Sequence, residues 1–364
     1  MNAAGELVVR VHWDGRRVTG VDVDLGRPQA AALLIGKPTD DVLGWVPRLF
    51  SVCGRAQAAA ARAALGAAGR QRPAADEAEG ILAEAAQEHL WRLLRDWPRA
   101  LGLAPRDDEF AAWYRRLSAR PLAAGTGGEL QAYVEQLLGR DFARLRTFDE
   151  IEAFARAGGG HAAALLAALP LEEAGAAPTP RFLAGDLPLA GLPCPLDPTG
   201  DADRRFIERP TVDGAPAETG ALARQRHRPL VADGLARLGA SLRVRLVARL
   251  HDALAVGRAL AGEADAAWDP TLLVAAAPLA SSLGAARAET ARGVLLHFVR
   301  LEGDRVADYA IVAPTAWNFH PQGALAAALT GAAAVNEPAL EALVTRHVVA
   351  VDPCVGWRME VRRA

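Results

Sequence analysis

Near one end the chain reads Arg48-Leu49-Phe50-Ser51-Val52-Cys53-Gly54, and near the other Asp352-Pro353-Cys354-Val355-Gly356-Trp357. Each stretch holds one cysteine in a setting that looks like half of a metal site with one ligand replaced. A thiol at Phe50 would complete a CxxC pair with Cys53, and one at Trp357 would complete a pair with Cys354. Thiolates are soft ligands that suit nickel, iron and iron-sulfur centres. Four of them would make a bimetal cradle; two make at most a partial iron site.

Composition narrows the field. The 364 residues are enough for one large domain or two ordinary ones, and 51% are hydrophobic, so a sizeable core is available. Net charge is −2, with no long basic run, which argues against nucleic-acid binding. Lys37 is the only lysine, a bias more like genome composition than a binding device. Three cysteines (Cys53, Cys194 and Cys354) do not make a disulfide framework; the expectation is free thiols in a reducing cytoplasm. Met1 to Gly5 shows no signal-peptide pattern. No stretch offers about twenty uninterrupted apolar residues, so no membrane span is expected.

Along the chain, Leu7–Trp13 and Val18–Leu25 flank Asp14-Gly15 and predict a hairpin. Asp40 to about Ala68 reads as helical, with Thr39 or Asp40 as N-cap and Cys53 in or beside the helix. Gly69 to Pro73 marks a loop. Ala75–Leu101 predicts a long amphipathic helix that Pro98 should kink or end. Shorter helices are expected near Glu109–Ala119, Gly128–Leu138, Asp149–Ala157 and His161–Leu169. Residues 170–217 read as a long Pro- and Gly-rich connection. Pro229–Gly262 predicts another long helix, and Gly293–Glu302 with Arg305–Val312 a second hairpin.

Other segments join the two cysteine stretches in a fixed order. They are Gly5-Glu6-Leu7, Glu218-Thr219-Gly220-Ala221-Leu222-Ala223-Arg224, Glu289-Thr290-Ala291-Arg292-Gly293 and Pro314-Thr315-Ala316-Trp317-Asn318 with Pro321. In this order they resemble the RIEGHL, EVGPLAR, EAPRG and PTTWN..P motifs of the nickel-iron hydrogenase large subunit, with the cysteine stretches matching its two CxxC motifs. The middle of the chain, residues 100 to 215, carries no specific match. The resemblance implies an α-rich α+β fold with long core helices and small N- and C-terminal β elements. It also implies one domain over residues 1–364. Within it lie an N-terminal hairpin and helix (1–68), a helical, loop-rich middle (69–217) and a C-terminal core (218–364).

The departures are as informative. In the family four thiolates hold nickel and iron; here Phe50 and Trp357 replace two of them. Gln57 and Glu360 stand where the two cysteine motifs end in histidine, and Ala4 where the family has a glutamate. No counterpart of the family's removable C-terminal peptide is expected after Ala364. This pattern resembles the accessory large-subunit paralogues of the HupK type.

Carried over by the resemblance, Cys53 is a bridging ligand, Cys354 a nickel-only ligand, and Arg292 and Thr315 hydrogen-bond the cyanide ligands of iron. Arginine is a planar charged donor suited to such an acceptor. If Phe50 and Trp357 point inward they fill the nickel position. The bland alternatives stay open. Cys53 and Cys354 are then vestigial core thiols, Arg292 pairs with a carboxylate such as Glu289 or Asp352, and Thr315 caps a turn. Cys194 reads as a loop thiol, and His89, His251 and His297 lack metal-ligand spacing. Glu360 is a weak candidate oxygen ligand for a cation.

The expected function is a non-enzymatic maturation factor in the cytoplasm. It would transiently hold iron with cyanide and carbonyl ligands, without nickel, and act with hydrogenase maturation proteins and the large-subunit precursor. The alternative is a structural or docking subunit that reuses the fold in an electron-transfer complex. Loss of two thiolates argues against a working hydrogenase.

Overall fold

Strand β1 (Glu6–Trp13) alternates buried Leu7, Val9 and Val11 with more exposed neighbours. It pairs antiparallel with β2 (Val18–Gly26) across the Asp14-Gly15 turn, as the alternation predicts. The computed structural model describes residues 5–26, 30–50, 52–69, 77–139, 141–170, 177–183, 185, 187–196 and 205–363. Ala4, Ser51 and most of the expected Gly69–Pro73 loop lie outside those residues.

The helical pattern from Asp40 to Ala68 is two helices, α1 (Thr39–Leu49) and α2 (Gly54–Gly69). The backbone turns extended at Phe50, and Gly54 lies so close to Pro47 that a Cβ there would sit 3.2 Å from the Pro47 carbonyl. Neither Thr39 nor Asp40 caps α1; Pro38 precedes it, and Asp40 and Asp41 place negative charge in its first turn. The long helix expected to Leu101 is α3 (Ala78–Trp91), a π turn (Arg92–Asp96) and α4 (Trp97–Ala100). Pro98 has no N–H to give the Leu94 carbonyl, which instead accepts the Arg106 N–H at 2.8 Å. Helices α5 (Asp107–Ser118), α6 (Thr126–Leu138), α7 (Phe148–Ala157) and α8 (His161–Ala168) lie where periodicity puts them. A reciprocal Thr147–Glu150 capping box starts α7.

In the irregular stretch, β3 (Arg181–Leu183) and α9 (Arg205–Glu208) precede β4 (Ala217–Thr219), which pairs parallel with β3. Helix α10 (Ala221–Gln225) follows. The helix expected over Pro229–Gly262 is split into α11 (Pro229–Leu238) and α12 (Leu242–Leu260). Gly239 ends the first, and the Ser241 hydroxyl caps the second by accepting the Val244 N–H at 3.3 Å. Helix α12 is buried on nearly every side, with α3, α6 and α10 around it.

The second hairpin is half of a four-stranded antiparallel sheet: β5 (Val274–Ala280), β6 (Leu283–Thr290), β7 (Gly293–Glu302) and β8 (Arg305–Val312). Strands β5 and β6 are alanine-rich and carry little intrinsic strand preference. They are ordered by α2, whose backbone lies on β6: a Cβ on Gly284 would sit 2.3 Å from the Ala64 carbonyl.

The chain finishes through α13 (Pro314–Asn318), α14 (Ala324–Leu329), α15 (Glu337–Val351) and β9 (Gly356–Arg363). Strand β9 joins β1 in parallel, Glu6 opposite Gly356 through Trp13 opposite Arg363. Leu7, Val9 and Val11 pack in one cluster with Leu340, Val344 and Val348 of α15. Each such side chain contributes roughly 1.5–3 kcal/mol on full burial. This packing fixes the loop between α15 and β9, which carries Cys354.

Candidate metal centre

Cys53 lies just before α2, and its carbonyl accepts the Gln57 N–H at 2.9 Å as the helix begins. The backbone N–H groups of Arg55 and Ala56 donate to the Glu84 carboxylate at 2.8 and 3.2 Å. Gln57 Nε2 lies 3.5 Å from Cys53 Sγ. Burial pushes the Cys53 thiol up to about 12, and negative charge at Cys354 and Glu84 adds to this; the Gln57 hydrogen bond and Arg292 oppose it. Burial likewise raises Glu84 to about 7, against the two backbone donors.

Cys354 follows the end of α15. Asp352 ends that helix in the left-handed region, φ 69°, and its N–H donates to the Val348 carbonyl. Three guanidinium groups surround its carboxylate: Arg92 from the π turn, Arg249 from α12 at 2.7 Å and Arg292 at 3.2 Å. Burial alone would raise Asp352, but Arg249, Arg292 and Arg92 hold it well below the usual carboxylate range. Arg92 also donates to the Pro353 carbonyl and to Asp96, so one side chain ties the π turn to the cysteine loop.

Arg292 occupies the two-residue turn between β6 and β7. Thr290 Oγ1 accepts the Arg292 N–H at 3.1 Å and donates to the Gly293 carbonyl at 2.9 Å. Gly293, φ 115°, lies against Thr219 so closely that a Cβ would meet its Oγ1 at 2.2 Å. Asn318 Nδ2 donates to the Arg292 carbonyl at 3.1 Å, while its Oδ1 accepts the Thr219 N–H at 2.8 Å. The Arg292 side chain donates to Glu88 at 2.6 Å. Its Nε is buried and makes no well-aligned hydrogen bond, although it lies within ion-pair distance of Asp352. Burial would lower Arg292; Asp352, Glu88, Cys354 and Cys53 together raise it. Both cysteines are thus within electrostatic reach of one guanidinium and of each other.

Thr315, fully buried at the start of α13, lies with Oγ1 3.6 Å from Cys354 Sγ. A cavity of about 480 Å³ opens beside Cys354, lined by Arg92, Asp96, Arg292, Trp91 and Trp357. Of the two residues expected to fill a nickel position, Trp357 therefore lines this cavity and Phe50 does not. Phe50 packs with the cluster of Leu34, Val42 and Val46 and lines a separate small cavity with Leu25 and Tyr309. It leaves α1 in extended backbone.

Other expectations resolve plainly. Arg292 pairs with Asp352 and Glu88 rather than Glu289, which pairs with Arg224. Glu360 is held by Arg10 and Arg358. Cys194 is half-buried against the cluster around Leu183 and Leu296, and none of the three cysteines is in a disulfide. His89 lies 3.0 Å from Asp252, and His251 packs on Phe142 at 4.8 Å between ring centres. Sequence reading missed Arg92, Glu88, Arg249 and Glu84. Arg92 and Glu88 meet partners more than 200 positions away, and nothing in the spacing of any of the four points to its partner.

Among the described residues no group of three or more His, Cys, Asp and Glu side chains could hold a metal ion. Two thiolates do not fit a resident nickel-iron pair. Nor is any described helix long and apolar enough to cross a membrane.

Comparisons with known proteins fit this picture. Residues 237–357 match the family model described as nickel-dependent hydrogenase. The hydrogenase expression/formation protein HupK of Bradyrhizobium diazoefficiens is 34% identical, over 99% of this chain and 97% of that protein. The hydrogenase expression/formation protein HoxV of Cupriavidus necator is 30% identical over 99% of this chain and 97% of its own length. Among solved structures, the Ni-Fe-Se hydrogenase of D. vulgaris Hildenborough superposes with a TM-score of 0.58 at 16% identity, covering 94% of each chain. The architecture is therefore the α+β fold of the hydrogenase large subunit, and the chain belongs to the HupK/HoxV family of hydrogenase expression/formation proteins.

Proposed function

We propose that this protein is a non-enzymatic maturation factor that transiently carries an iron bearing two cyanides and one carbonyl. It would receive this cargo from hydrogenase maturation proteins and release it to the large-subunit precursor in the cytoplasm. The observation that carries the reading is that Cys354 and Arg292 line one cavity, with Thr315 at Cys354 and Cys53 within electrostatic reach of both.

Ligand number supports iron of this kind over nickel. An iron that brings three diatomic ligands needs few from the protein, and two thiolates supply them. A nickel-iron pair needs the thiolates missing at Phe50 and Trp357. The buried, poorly aligned Nε of Arg292 suits an acceptor that arrives with the cargo. The names of the relatives, hydrogenase expression/formation proteins, support an accessory rather than a catalytic role.

The test is infrared spectroscopy of protein purified without oxygen from a host with its maturation genes. Carbonyl and cyanide stretching bands are expected in the wild type and absent in Cys53→Ala. Absence of bands in intact wild-type protein would sink the carrier reading and favour the docking subunit. A stable one-to-one complex with an electron-transfer subunit would then be expected, indifferent to both cysteines.

A further inference from the structure

Behind Cys53 runs a line of buried polar groups that the site does not use. Gln57 Nε2 faces Cys53 Sγ at 3.5 Å, and Gln57 Oε1 lies 2.8 Å from His297 Nε2. His297 Nδ1 in turn lies 2.7 Å from the Tyr309 hydroxyl. Gln57, His297 and Tyr309 are all buried, on α2, β7 and β8 respectively. The His297 and Tyr309 rings meet nearly edge-on, 5.6 Å apart at an 80° angle, which fixes the imidazole plane.

In this geometry each group decides the next. A tyrosine hydroxyl that donates to Nδ1 leaves the imidazole proton on Nε2. That N–H needs an acceptor, and the carbonyl end of Gln57 supplies it. The amide then has only one orientation, with its NH2 toward the sulfur. Burial keeps His297 neutral, far below its ordinary range, so the ring carries a single proton to place. An unlinked glutamine beside a sulfur would turn either end to it; leaving a buried partner unsatisfied is costly enough to fix one orientation.

We propose that Gln57 is a positioning residue for Cys53, and that Tyr309 and His297 lock its amide so that it donates to the sulfur. The role in iron binding rests on the carrier reading; the locked amide does not. A donor to a thiolate withdraws charge from it and so weakens its push onto a bound metal.

Two measurements separate these parts. In metal-free protein at neutral pH, nitrogen-15 imidazole NMR should find the His297 proton on Nε2. Gln57→Leu and Tyr309→Phe should each disturb that tautomer. A proton on Nδ1 in the wild type, or a tautomer indifferent to both substitutions, overturns the lock, whether or not the protein carries iron. In iron-loaded protein, Gln57→Leu should keep the carbonyl band and move it to lower wavenumber, because the freed sulfur donates more charge to iron. A band unmoved in Gln57→Leu overturns the positioning role. Absence of bands in the wild type overturns the carrier reading, and with it this role in iron binding, and leaves the lock to be decided by NMR.

Discussion

Arg292 and Cys354 are joined through Asp352: the Arg292 Nε lies 3.2 Å from a carboxylate whose residue ends α15 two positions before the cysteine. The hairpin turn of the four-stranded sheet and the loop before β9 are therefore one electrostatic unit. Arg92 and Arg249 complete it from two helices.

Asp352→Asn should be among the most damaging single changes. It leaves three buried guanidinium groups short of a counter-charge, and breaking a buried ion pair costs about 3–5 kcal/mol. Urea denaturation should show a loss of that order. A loss below about 1 kcal/mol would mean that the three arginines do not depend on this carboxylate.

Gly293→Ala tests the packing behind Arg292. The backbone lies at φ 115° and the new Cβ would meet Thr219 at 2.2 Å. Left-handed strain and overpacking each cost on the order of 1–3 kcal/mol. Thermal unfolding should fall accordingly, whereas Gly303→Ala, in an open turn with no atom near the added carbon, should cost only its backbone strain.

Glu84 predicts a pH signature. Its folded value is raised to about 7 from an ordinary 4.5, so the native state binds this proton more tightly than the unfolded chain. Its contribution is fully present below the unfolded value and is lost as pH rises through the folded one. Between those limits stability should decline with pH more steeply in wild type than in Glu84→Gln. Equal slopes in chemical denaturation across that window would refute the assignment.

Trp357→Cys restores one missing thiolate beside the cavity that Trp357 lines. Nickel or zinc affinity, measured by calorimetry under reducing conditions, should rise roughly tenfold or more, at about 1.4 kcal/mol per decade. Phe50→Cys should bring no such gain, because Phe50 lines a separate cavity with Leu25 and Tyr309.

The parts of this fold set by local chemistry could be read from the chain. Asp14-Gly15 announced the first hairpin, Gly293–Glu302 with Arg305–Val312 read as the second, and the ordered motifs from Glu218 to Pro321 announced the architecture. What escaped depended on distant neighbours. The alanine-rich β5 and β6 are strands because α2 lies on them, not because alanine prefers extension. The breaks at Phe50 and Gly239 fall inside continuous helical patterns. Arg92 looked like one more polar position on an amphipathic helix, yet it reaches Asp352 across 260 residues of sequence. Cys53, Cys354, Arg292 and Thr315 were singled out by motif; the structure sets Thr315 beside Cys354 and Arg292 against Asp352.

The parallel pairing of β1 with β9 also sets a time order. Residues paired across it stand 350 positions apart, as Arg10 and Glu360 do. Contacts so distant in sequence form late, since a large loop must close first. While the ribosome is still making the middle of the chain, Cys53 has emerged and Cys354 does not yet exist. A nascent chain at that stage has Cys53 without Cys354. On the proposed carrier reading, cargo would be accepted only by a chain that already includes Cys354, so the topology would act as a proofreading step against loading truncated products.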